Sequence, residues 1–300
     1  MTESPTELSA RLIDESIVDV APNRVTQRLS ELGDDVALVE SFSHVVLVRT
    51  GEGLVAFDAS GQHTAAQVVD AVRGWTDEPV HTIVYTHGHM DHIGGSAAFA
   101  ADAADRGHRA PHVVGHAKVA ERMDRYELTS GYNLAVNLRQ FAGMSQRAVR
   151  EMDLSGPLRF LPPGTLQPDT SFDESLDLDV GGVDFELRHA RGETDDHTWT
   201  WIPSKKMIAA GDLFIWNFPN CGNPQKVQRY PRDWVDVLRA MAGAGAELFV
   251  PAHGLPIAGA ERIERSLTTV ADVLEKLLTD VLDAMNTGAP LDEIIHGVSV

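Results

Sequence analysis

The six-residue stretch HGHMDH, His87 to His92, has the composition of a metal-binding loop. It provides three imidazoles and one carboxylate, which are transition-metal donors that apolar packing rarely selects. Residues 82–86 before it predict a short buried strand, and Gly94 and Gly95 after it precede an alanine-rich helical pattern. We therefore expect these side chains on a loop at the carboxyl end of a strand, where open α/β sheets usually place binding sites.

Three later predicted strands also end next to a residue of metal-ligand type. These residues are Glu193 in HARGETDDH, Asp212 in AAGD and His253 in FVPAHG. Each alone would fit a turn or a packed polar side chain. Together with HGHMDH they make seven candidates at strand ends, and two metal ions would account for that number. The first ion is predicted to bind His87, His89 and Glu193, the second Asp91, His92 and His253, with Asp212 shared or bridging.

The elements that must position these residues follow from the periodicity of the chain. Apolar runs between turn residues predict strands at 36–40, 45–49, 54–58, 112–114, 175–180, 183–190, 197–203, 206–210 and 248–250. Helical patterns are predicted at 62–74, 96–106, from 116 onward and at 231–243. Strands with helices, followed by strands with helices again, predict two sheets packed together and covered by helices.

Two features near the metal loop leave alternatives open. Asp58 ends its strand at the same edge as HGHMDH, where its carboxylate could orient a metal-bound histidine. It could equally cap the helix predicted at 62–74. The irregular segment 124–172 is too long for a simple connection, so it is expected to form a pocket wall or a lid.

The last long segment, 258–287, predicts an amphipathic helix. Its apolar residues at helical spacing are Leu267, Val270, Leu274, Leu277, Val281 and Met285. Such a stripe requires a partner, which could be the rest of this chain or a second copy in a homodimer.

Composition and charge limit the other functions. A chain of 300 residues, 43% of them hydrophobic, can form one large α/β domain with an appendage. The net charge of -19, with no basic stripe, argues against nucleic-acid binding. The N-terminus lacks a signal-peptide pattern and no apolar run approaches membrane-spanning length, so we expect a cytoplasmic protein without a membrane partner. Cys221 is the single cysteine, and a packed residue is a better interpretation of it than a nucleophile.

HGHMDH matches the HxHxDH signature of the metallo-β-lactamase fold superfamily, which the chain therefore resembles. The resemblance implies an α/β fold, a four-layer αββα sandwich with a binuclear metal site. Residues 1–257 would form the catalytic domain and 258–300 a C-terminal helical segment. Lactamases, thioesterases, lactonases, phosphodiesterases, sulfatases and some iron-dependent redox enzymes share this fold, so the signature alone leaves the substrate open.

A narrower resemblance, to the alkyl sulfatase group, comes from Glu193 in ArgGlyGluThr. Most of the superfamily has a histidine there, whereas this group has glutamate. Asp212 and His253 stand where the group has its later ligands, although the residue at Asp212 is usually glutamate. TSGYNLAVNLRQF and the asparagine-rich loop after Asp212 are also similar to the group. Its longer members continue into a helical dimerisation domain, and the final helix here resembles only the start of that region. The apolar ending ValSerVal is more typical of a cut chain than of a natural terminus.

The resemblance implies hydrolysis of an anionic small-molecule ester, an alkyl sulfate, by a metal-bound hydroxide. Two Zn²⁺ ions are the expected cofactors, and Fe and Mn fit the ligands as well. The predicted catalytic residues are Asp91 and His197, the latter as proton donor to the leaving alcohol. Another hydrolase of the fold (lactonase, thioesterase or phosphodiesterase), an iron-dependent redox enzyme and a non-enzymatic metal-stabilised sensor are the alternatives.

A sulfate ester also requires donors for its nonbridging oxygens. The candidates are Asn133, Asn137, Arg139, Asn217, Asn220, Lys226 and Arg229. Phe214, Trp216 and Phe218 alternate along the chain, which predicts either an apolar channel for an alkyl chain or an ordinary half-buried strand. For His116 a structural role is favoured over metal binding, and the same holds for His197 as a ligand.

Overall fold

The computed structural model describes residues 3–140, 159–222 and 225–299. Its strands are β1 Leu29–Gly33, β2 Val36–Val39, β3 Val45–Thr50, β4 Gly53–Phe57, β5 Val80–Val84, β6 His112–His116, β7 Thr170–Phe172, β8 Ser175–Val180, β9 Val183–Ala190, β10 His197–Ile202, β11 Met207–Gly211, β12 Leu248–Pro251 and β13 Ile257–Ala258. Its α-helices are α1 Pro5–Asp14, α2 Ala65–Trp75, α3 Met90–Ile93, α4 Ser96–Asp105, α5 Ala117–Leu128, α6 Ser130–Gln140, α7 Pro231–Ala242, α8 Ala260–Asn286 and α9 Leu291–Gly297. The chain divides into two compact units, Asn23–Asp184 and Met1–Pro22 with Phe185–Val300.

The unit Asn23–Asp184 contains a seven-stranded sheet in the order β1-β2-β3-β4-β5-β6-β7. Strands β1 to β4 pair antiparallel, and β4 to β7 pair parallel. The central strands β2 and β4 are buried along their whole length, which accounts for their continuous apolar sequences VALV and GLVAF. Apolar residues of α2, α4 and α5, among them Val68, Phe99 and Met123, complete the core. The parallel half of the sheet directs the ends of β4, β5 and β6 to one edge.

The second sheet has six strands in the order β13-β12-β11-β10-β9-β8. Within the unit Met1–Pro22 with Phe185–Val300, β11 and β12 are parallel, and the pairs β9 with β10, β10 with β11 and β12 with β13 are antiparallel. Trp234, Leu238 and Met241 of α7 lie in the core of this unit together with α8. The single parallel pair matters for the site, because it brings two strand ends to the same edge.

Helix α8 is buried only over its first half. Its buried residues Ile263, Leu267, Ala271 and Leu274 recur every three or four positions and face α7. Toward its end, Leu282 and Met285 are exposed by 46% and 58%. The first half of the predicted amphipathic stripe is therefore covered by this chain itself.

The predicted strands and helices are confirmed within a few residues at their ends. The sequence did not predict the short strands β1, β7 and β13, and it predicted a loop where the single helical turn α3 lies; all four have few residues. The predicted pocket wall at 124–172 contains the end of α5, α6 and β7, while its residues 141–158 lie outside the described part. The domain boundary after residue 257 stays a prediction. Among the described residues, no helix combines the length and the apolar character needed to cross a membrane.

Candidate metal centre

The three histidines of HGHMDH converge at the carboxyl end of β5. The Nε2 atom of His87 lies 2.8 Å from Nδ1 of His89, and the rings of His87 and His92 have centroids 4.0 Å apart. His89 precedes the single turn of α3, which carries Asp91 and His92. Oδ2 of Asp91 lies 3.5 Å from Nε2 of His92. One strand end and one helical turn therefore gather all four side chains.

Asp58 holds His92 from the end of the neighbouring strand β4. Its Oδ2 atom lies 2.7 Å from Nδ1 of His92 and accepts from the Thr86 hydroxyl at 2.8 Å, while Oδ1 accepts from the Thr86 backbone N–H at 2.7 Å. Burial raises the pKa of the Asp58 carboxyl, and the hydrogen bonds from His92 and Thr86 oppose this shift. The predicted contact of Asp58 with a histidine of HGHMDH is confirmed. The capping alternative is wrong, because Thr64 stands at the start of α2.

The turn after Asp58 has an unusual backbone. Asp58 and Ser60 adopt left-handed φ angles of 62° and 59°, which residues with side chains rarely do. Gly95 packs against this turn so closely that a Cβ atom there would lie 2.1 Å from the Ala59 carbonyl oxygen. The glycine after HGHMDH is thus required by the approach of two backbones.

Ser43 is a contact of His92 that the sequence did not predict. Its hydroxyl lies 3.1 Å from Nδ1 of His92, across 49 positions of the chain. No motif or period marks such a residue. Thr86, by contrast, directly precedes HGHMDH and could have been inferred from its position.

Asp212 and His253 meet in the other unit through the parallel pair β11 and β12. Gly211 aligns with Pro251, and the backbone N–H of Ala252 donates to the Gly211 carbonyl at 3.0 Å. The following side chains are thereby brought together, with Oδ1 of Asp212 lying 3.5 Å from Nε2 of His253. Asp212 is 5% exposed. The prediction that strand ends place these two residues side by side is confirmed.

Glu193 lies in the turn after β9 and is paired with Arg229. The guanidinium Nη1 of Arg229 contacts the Glu193 carboxylate and also donates to the Glu193 backbone carbonyl at 2.6 Å. The side chains of Arg229 and Glu193 are 3% and 17% exposed. Arg229 was predicted to bind substrate, and the structure places its Nη1 against a candidate metal ligand. Contact with a substrate stays a prediction for this residue.

The donor atoms of these side chains suit a divalent metal. Nε2 of His87 and Nδ1 of His89 lie 2.8 Å apart, so both nitrogens are near enough to bind one metal ion after a small adjustment. Asp58 fixes the ring of His92 from its Nδ1 side, which leaves Nε2 as the ligand atom. Imidazole and carboxylate ligands suit Zn²⁺, Fe and Mn, so the residues fit a metal without selecting one.

His116 and His197 both take part in hydrogen bonds within their own units. Nδ1 of His116 accepts from the Lys118 backbone N–H at 3.2 Å and caps α5, and its Nε2 lies 2.8 Å from the Asp173 carbonyl oxygen. This confirms the structural role expected for His116. His197 is fully buried at the start of β10, with Nδ1 2.9 Å from the Thr194 hydroxyl. Its role as a proton donor stays a prediction.

The asparagines predicted to bind substrate lie on α6. The side-chain amide of Asn133 donates to the Thr129 carbonyl at 3.0 Å and to its hydroxyl at 2.7 Å, and Asn137 donates to the Asn133 carbonyl at 2.8 Å. Arg139 is exposed near the end of this helix. These contacts hold both amides against their own helix. Binding of substrate by Asn133, Asn137 and Arg139 is therefore still a prediction, as it is for Asn217, Asn220 and Lys226.

An apolar pocket of about 330 Å³ lies beside the chain that follows Asp212. It is lined by Ile13, Phe214, Trp216, Asn217, Phe218, Ile257, Ser266, Thr269, Val270 and Val273. Trp216 has a left-handed φ of 63°, and none of the residues from Leu213 to Cys221 is in a strand. The half-buried strand considered for the alternating aromatic residues is thus wrong. Phe214, Trp216 and Phe218 instead line an apolar pocket, which was the other alternative that their spacing left open.

Cys221 has the environment of a packed residue. Its thiol is half-buried and lies 3.2 Å from the Pro219 carbonyl oxygen. Burial raises the pKa of the Cys221 thiol to about 11, which keeps it protonated at neutral pH. This supports the structural interpretation of the single cysteine.

Known proteins similar to this chain include alkylsulfatases and a metallo-beta-lactamase. A linear primary-alkylsulfatase of Pseudomonas sp. (strain ATCC 19151) is 25% identical over 276 residues, covering 88% of this chain and 49% of that protein. The structure of the stereoselective inverting sec-alkylsulfatase Pisa1 from Pseudomonas sp. is similar with a TM-score of 0.70 and 19% identity, over 91% of this chain and 45% of that one. A metallo-beta-lactamase from Pontibacter korlensis is similar with a TM-score of 0.55 and 19% identity, over 81% of this chain and 98% of that one. The chain thus spans about half the length of the alkylsulfatases that it matches.

The family assignment rests on a match to the whole central part of the chain. The model of the Metallo-beta-lactamase superfamily matches residues 38–253, which include HGHMDH, Glu193, Asp212 and His253. The predicted α/β fold class, with its C-terminal helices, is confirmed by this match and by the similar structures. The chain belongs to the metallo-beta-lactamase superfamily.

Proposed function

We propose that this protein is a binuclear metal-dependent hydrolase of alkyl sulfate esters. The observation that carries the proposal is Glu193, which stands in the strand-end turn where a histidine would be expected for most of the superfamily. The similarity to linear primary-alkylsulfatases over most of the chain supports the same substrate class. Lactones, thioesters and phosphodiesters are the alternative substrates.

We divide the seven candidate ligands between two metal ions. We assign His87, His89, Glu193 and Asp212 to one ion and Asp91, His92 and His253 to the other. This assignment keeps the division made from the sequence and gives Asp212, which was shared or bridging there, to the first ion. We propose zinc for both positions, since nitrogen and oxygen donors suit it.

Bound divalent metal would lower the pKa of a water molecule to about 7 and supply a hydroxide nucleophile near neutral pH. The residues of the chain set the charge around that nucleophile. Asp91, Glu193 and Asp212 carry three carboxylates, which is fewer negative charges than two divalent ions carry positive ones. Arg229 adds a cation beside Glu193. The remaining positive charge favours an anionic ester, although the whole chain is acidic.

Two further groups have roles in this proposal. The pocket beside Phe214 and Trp216 is uncharged and of a size that accepts an alkyl chain. His197, whose Nδ1 is held by Thr194, would protonate the leaving alcohol. We also assign a catalytic role to Asp91, because its carboxylate would bind one of the metal ions that activate the water.

A substrate panel tests the proposal. We expect zinc-loaded protein to hydrolyse alkyl sulfates, and the metal-depleted protein to lose this activity and regain it on addition of zinc. Glu193→Ala should remove most of the activity. Glu186→Ala is the matched control, since Glu186 is a half-exposed carboxylate of β9 paired with Arg188. Cleavage of another ester class with sulfates untouched would contradict the substrate, and two iron ions with redox activity would contradict hydrolysis.

We also propose a homodimer formed through the C-terminal helices. Leu282 and Met285 at the end of α8 and Leu291 and Ile295 of α9 are exposed by 46% to 72%. Light scattering of the purified chain should give twice the mass of 32.6 kDa. Leu282→Asp should yield a monomer, and an unchanged monomeric mass of the native chain would exclude the dimer.

A further inference from the structure

The turn that carries Glu193 is attached to the segment before helix α7 by several contacts. The backbone N–H of Tyr230 donates to the Gly192 carbonyl at 2.9 Å, and Arg191 pairs with Asp233 at 2.5 Å. The guanidinium of Arg191 also lies over the Tyr230 ring, 4.8 Å from its centroid. These contacts flank the pairing of Arg229 with Glu193. Residues 191–193 and 229–233 therefore form one connected unit, which we call the Glu193 clamp.

Packing of neighbouring side chains against the clamp leaves little space around the turn. A Cβ atom on Gly192 would lie 2.9 Å from the Leu213 side chain and 3.0 Å from the Trp234 ring. Trp234 is 1% exposed and donates its indole N–H to the Leu213 carbonyl at 2.8 Å. Because Leu213 follows Asp212 directly, the same packing also borders a second candidate ligand. The clamp is thus closely packed where it supports Glu193.

We infer that Arg229 is a positioning residue, which fixes the Glu193 carboxylate for metal binding and offsets its charge. This inference rests on the proposed role of Glu193 as a metal ligand. One guanidinium nitrogen reaches both the carboxylate and the backbone carbonyl of the same residue, which sets the side chain relative to its own backbone. At 3% exposure, solvent does little to screen this pair. The ion pair is neutral overall, as the histidine usual at this position would be.

The charge of the side chain at position 193 distinguishes this role from simple support of the turn. If Arg229 acts on the carboxylate, the contribution of Arg229 to zinc affinity depends on the residue at position 193. With Glu193→His, Arg229 becomes a buried cation facing a neutral ligand, which is unfavourable. If Arg229 only holds the backbone carbonyl, its removal is harmful whatever the side chain at position 193. The sign of the effect in the two backgrounds therefore separates the two explanations.

A double-mutant cycle on zinc binding provides the test. We expect Arg229→Met to weaken zinc binding at one site by about 10- to 100-fold, the usual effect of losing a group that orients a ligand. Arg229→Lys should lose less zinc affinity than Arg229→Met, because lysine keeps the charge but not the planar donor geometry. In the Glu193→His background, Arg229→Met should leave zinc binding equal or stronger. Competition with a chelating dye measures all four affinities.

A matched control and a substitute variant complete the design. Arg188→Met removes the cation of a half-exposed pair with Glu186 in β9 and should leave zinc binding unchanged. If Arg229→Met does not fold, the comparison of Arg229→Lys in the two backgrounds replaces it, with a loss expected only beside Glu193. Equal losses in both backgrounds, or none, would overturn the inference. If the effect of Arg229→Met on zinc binding depends on the residue at position 193 but the protein does not hydrolyse sulfates, only the proposed substrate is contradicted.

Discussion

Replacement of Asp58 by asparagine is expected to weaken the metal site through His92, without touching a proposed ligand. The carboxylate accepts from the Thr86 N–H at 2.7 Å and from the Thr86 hydroxyl at 2.8 Å, and it lies 2.7 Å from Nδ1 of His92. A carboxylate can only accept, so the His92 ring carries its proton on Nδ1 and has Nε2 for a metal. The Ser43 hydroxyl can rotate to either role, so it does not fix the tautomer.

Asparagine has the same shape but cannot satisfy all these partners. With its oxygen on the Thr86 N–H, its amide group faces His92 and forces the ring proton onto Nε2. With the amide reversed, its NH2 group faces the Thr86 N–H. A buried donor then lacks an acceptor, at a cost of about 1–3 kcal/mol. The first orientation is therefore expected, and its tautomer should weaken metal binding by about 10- to 100-fold. That range corresponds to roughly 1.4–2.8 kcal/mol of binding free energy.

Zinc titration and nitrogen NMR test this reasoning together. The variant should retain its fold and lose affinity at the site containing His92, while metal-free protein should show the His92 proton on Nδ1 in the native chain and on Nε2 in Asp58→Asn. Asp70→Asn, on the exposed face of α2, is the control and should bind zinc as the native chain does. Native affinity in Asp58→Asn with a changed tautomer would refute the link to binding, and an unchanged tautomer would refute the hydrogen-bond assignment.

Three other expectations follow from described contacts. Asp102→Asn should lower the free energy of unfolding by roughly 2–3 kcal/mol in urea denaturation, because Asp102 is 12% exposed and accepts from Arg73 at 2.7 Å. Burial raises the pKa of Asp102, but hydrogen bonds from Arg73 and Arg106 outweigh it and lower the pKa overall, so this difference should be full above about pH 4 and vanish as the pH falls through the lowered value. Cys221, with a pKa of about 11, should react with iodoacetamide on the order of 100-fold more slowly than a free cysteine at pH 8, and a fast reaction would contradict its burial. Val273→Phe should narrow the apolar pocket and lower kcat/KM for long alkyl sulfates relative to short ones by about fourfold per excluded methylene, whereas an unchanged chain-length profile would separate the pocket from the substrate.

Sequence reasoning succeeded where a local rule connects residue type to position. Asp212 and His253 each follow an apolar strand, and the parallel pairing of β11 with β12 brings them together as expected. For Asp58, the sequence placed the carboxylate at the correct edge but left its partner open. The partner depended on the alignment of β4 with β5, in which Phe57 lies opposite Val84. That alignment is a tertiary property, which a single strand does not encode.

Long-range side-chain contacts and interrupted patterns were not predictable in this way. Arg229 and Glu193 are 36 positions apart, and neither periodicity nor spacing relates them. The alternation of Phe214, Trp216 and Phe218 matched a strand, but the left-handed φ of Trp216 is incompatible with one. The pocket that these residues line also takes its walls from α1, β13 and α8, which are remote in sequence.

The location of charge in this chain explains how an acidic protein could hydrolyse an anionic ester. The net charge of -19 is spread over a surface where salt screens interactions beyond about 8 Å. Within the proposed site the balance is different, because Glu193 is accompanied by the buried cation Arg229. A third carboxylate ligand without such a partner would reduce the positive charge that two metal ions present to the substrate. In the proposed site, the Glu193–Arg229 pair would allow a carboxylate ligand and still present to a sulfate ester the charge that a histidine ligand would leave.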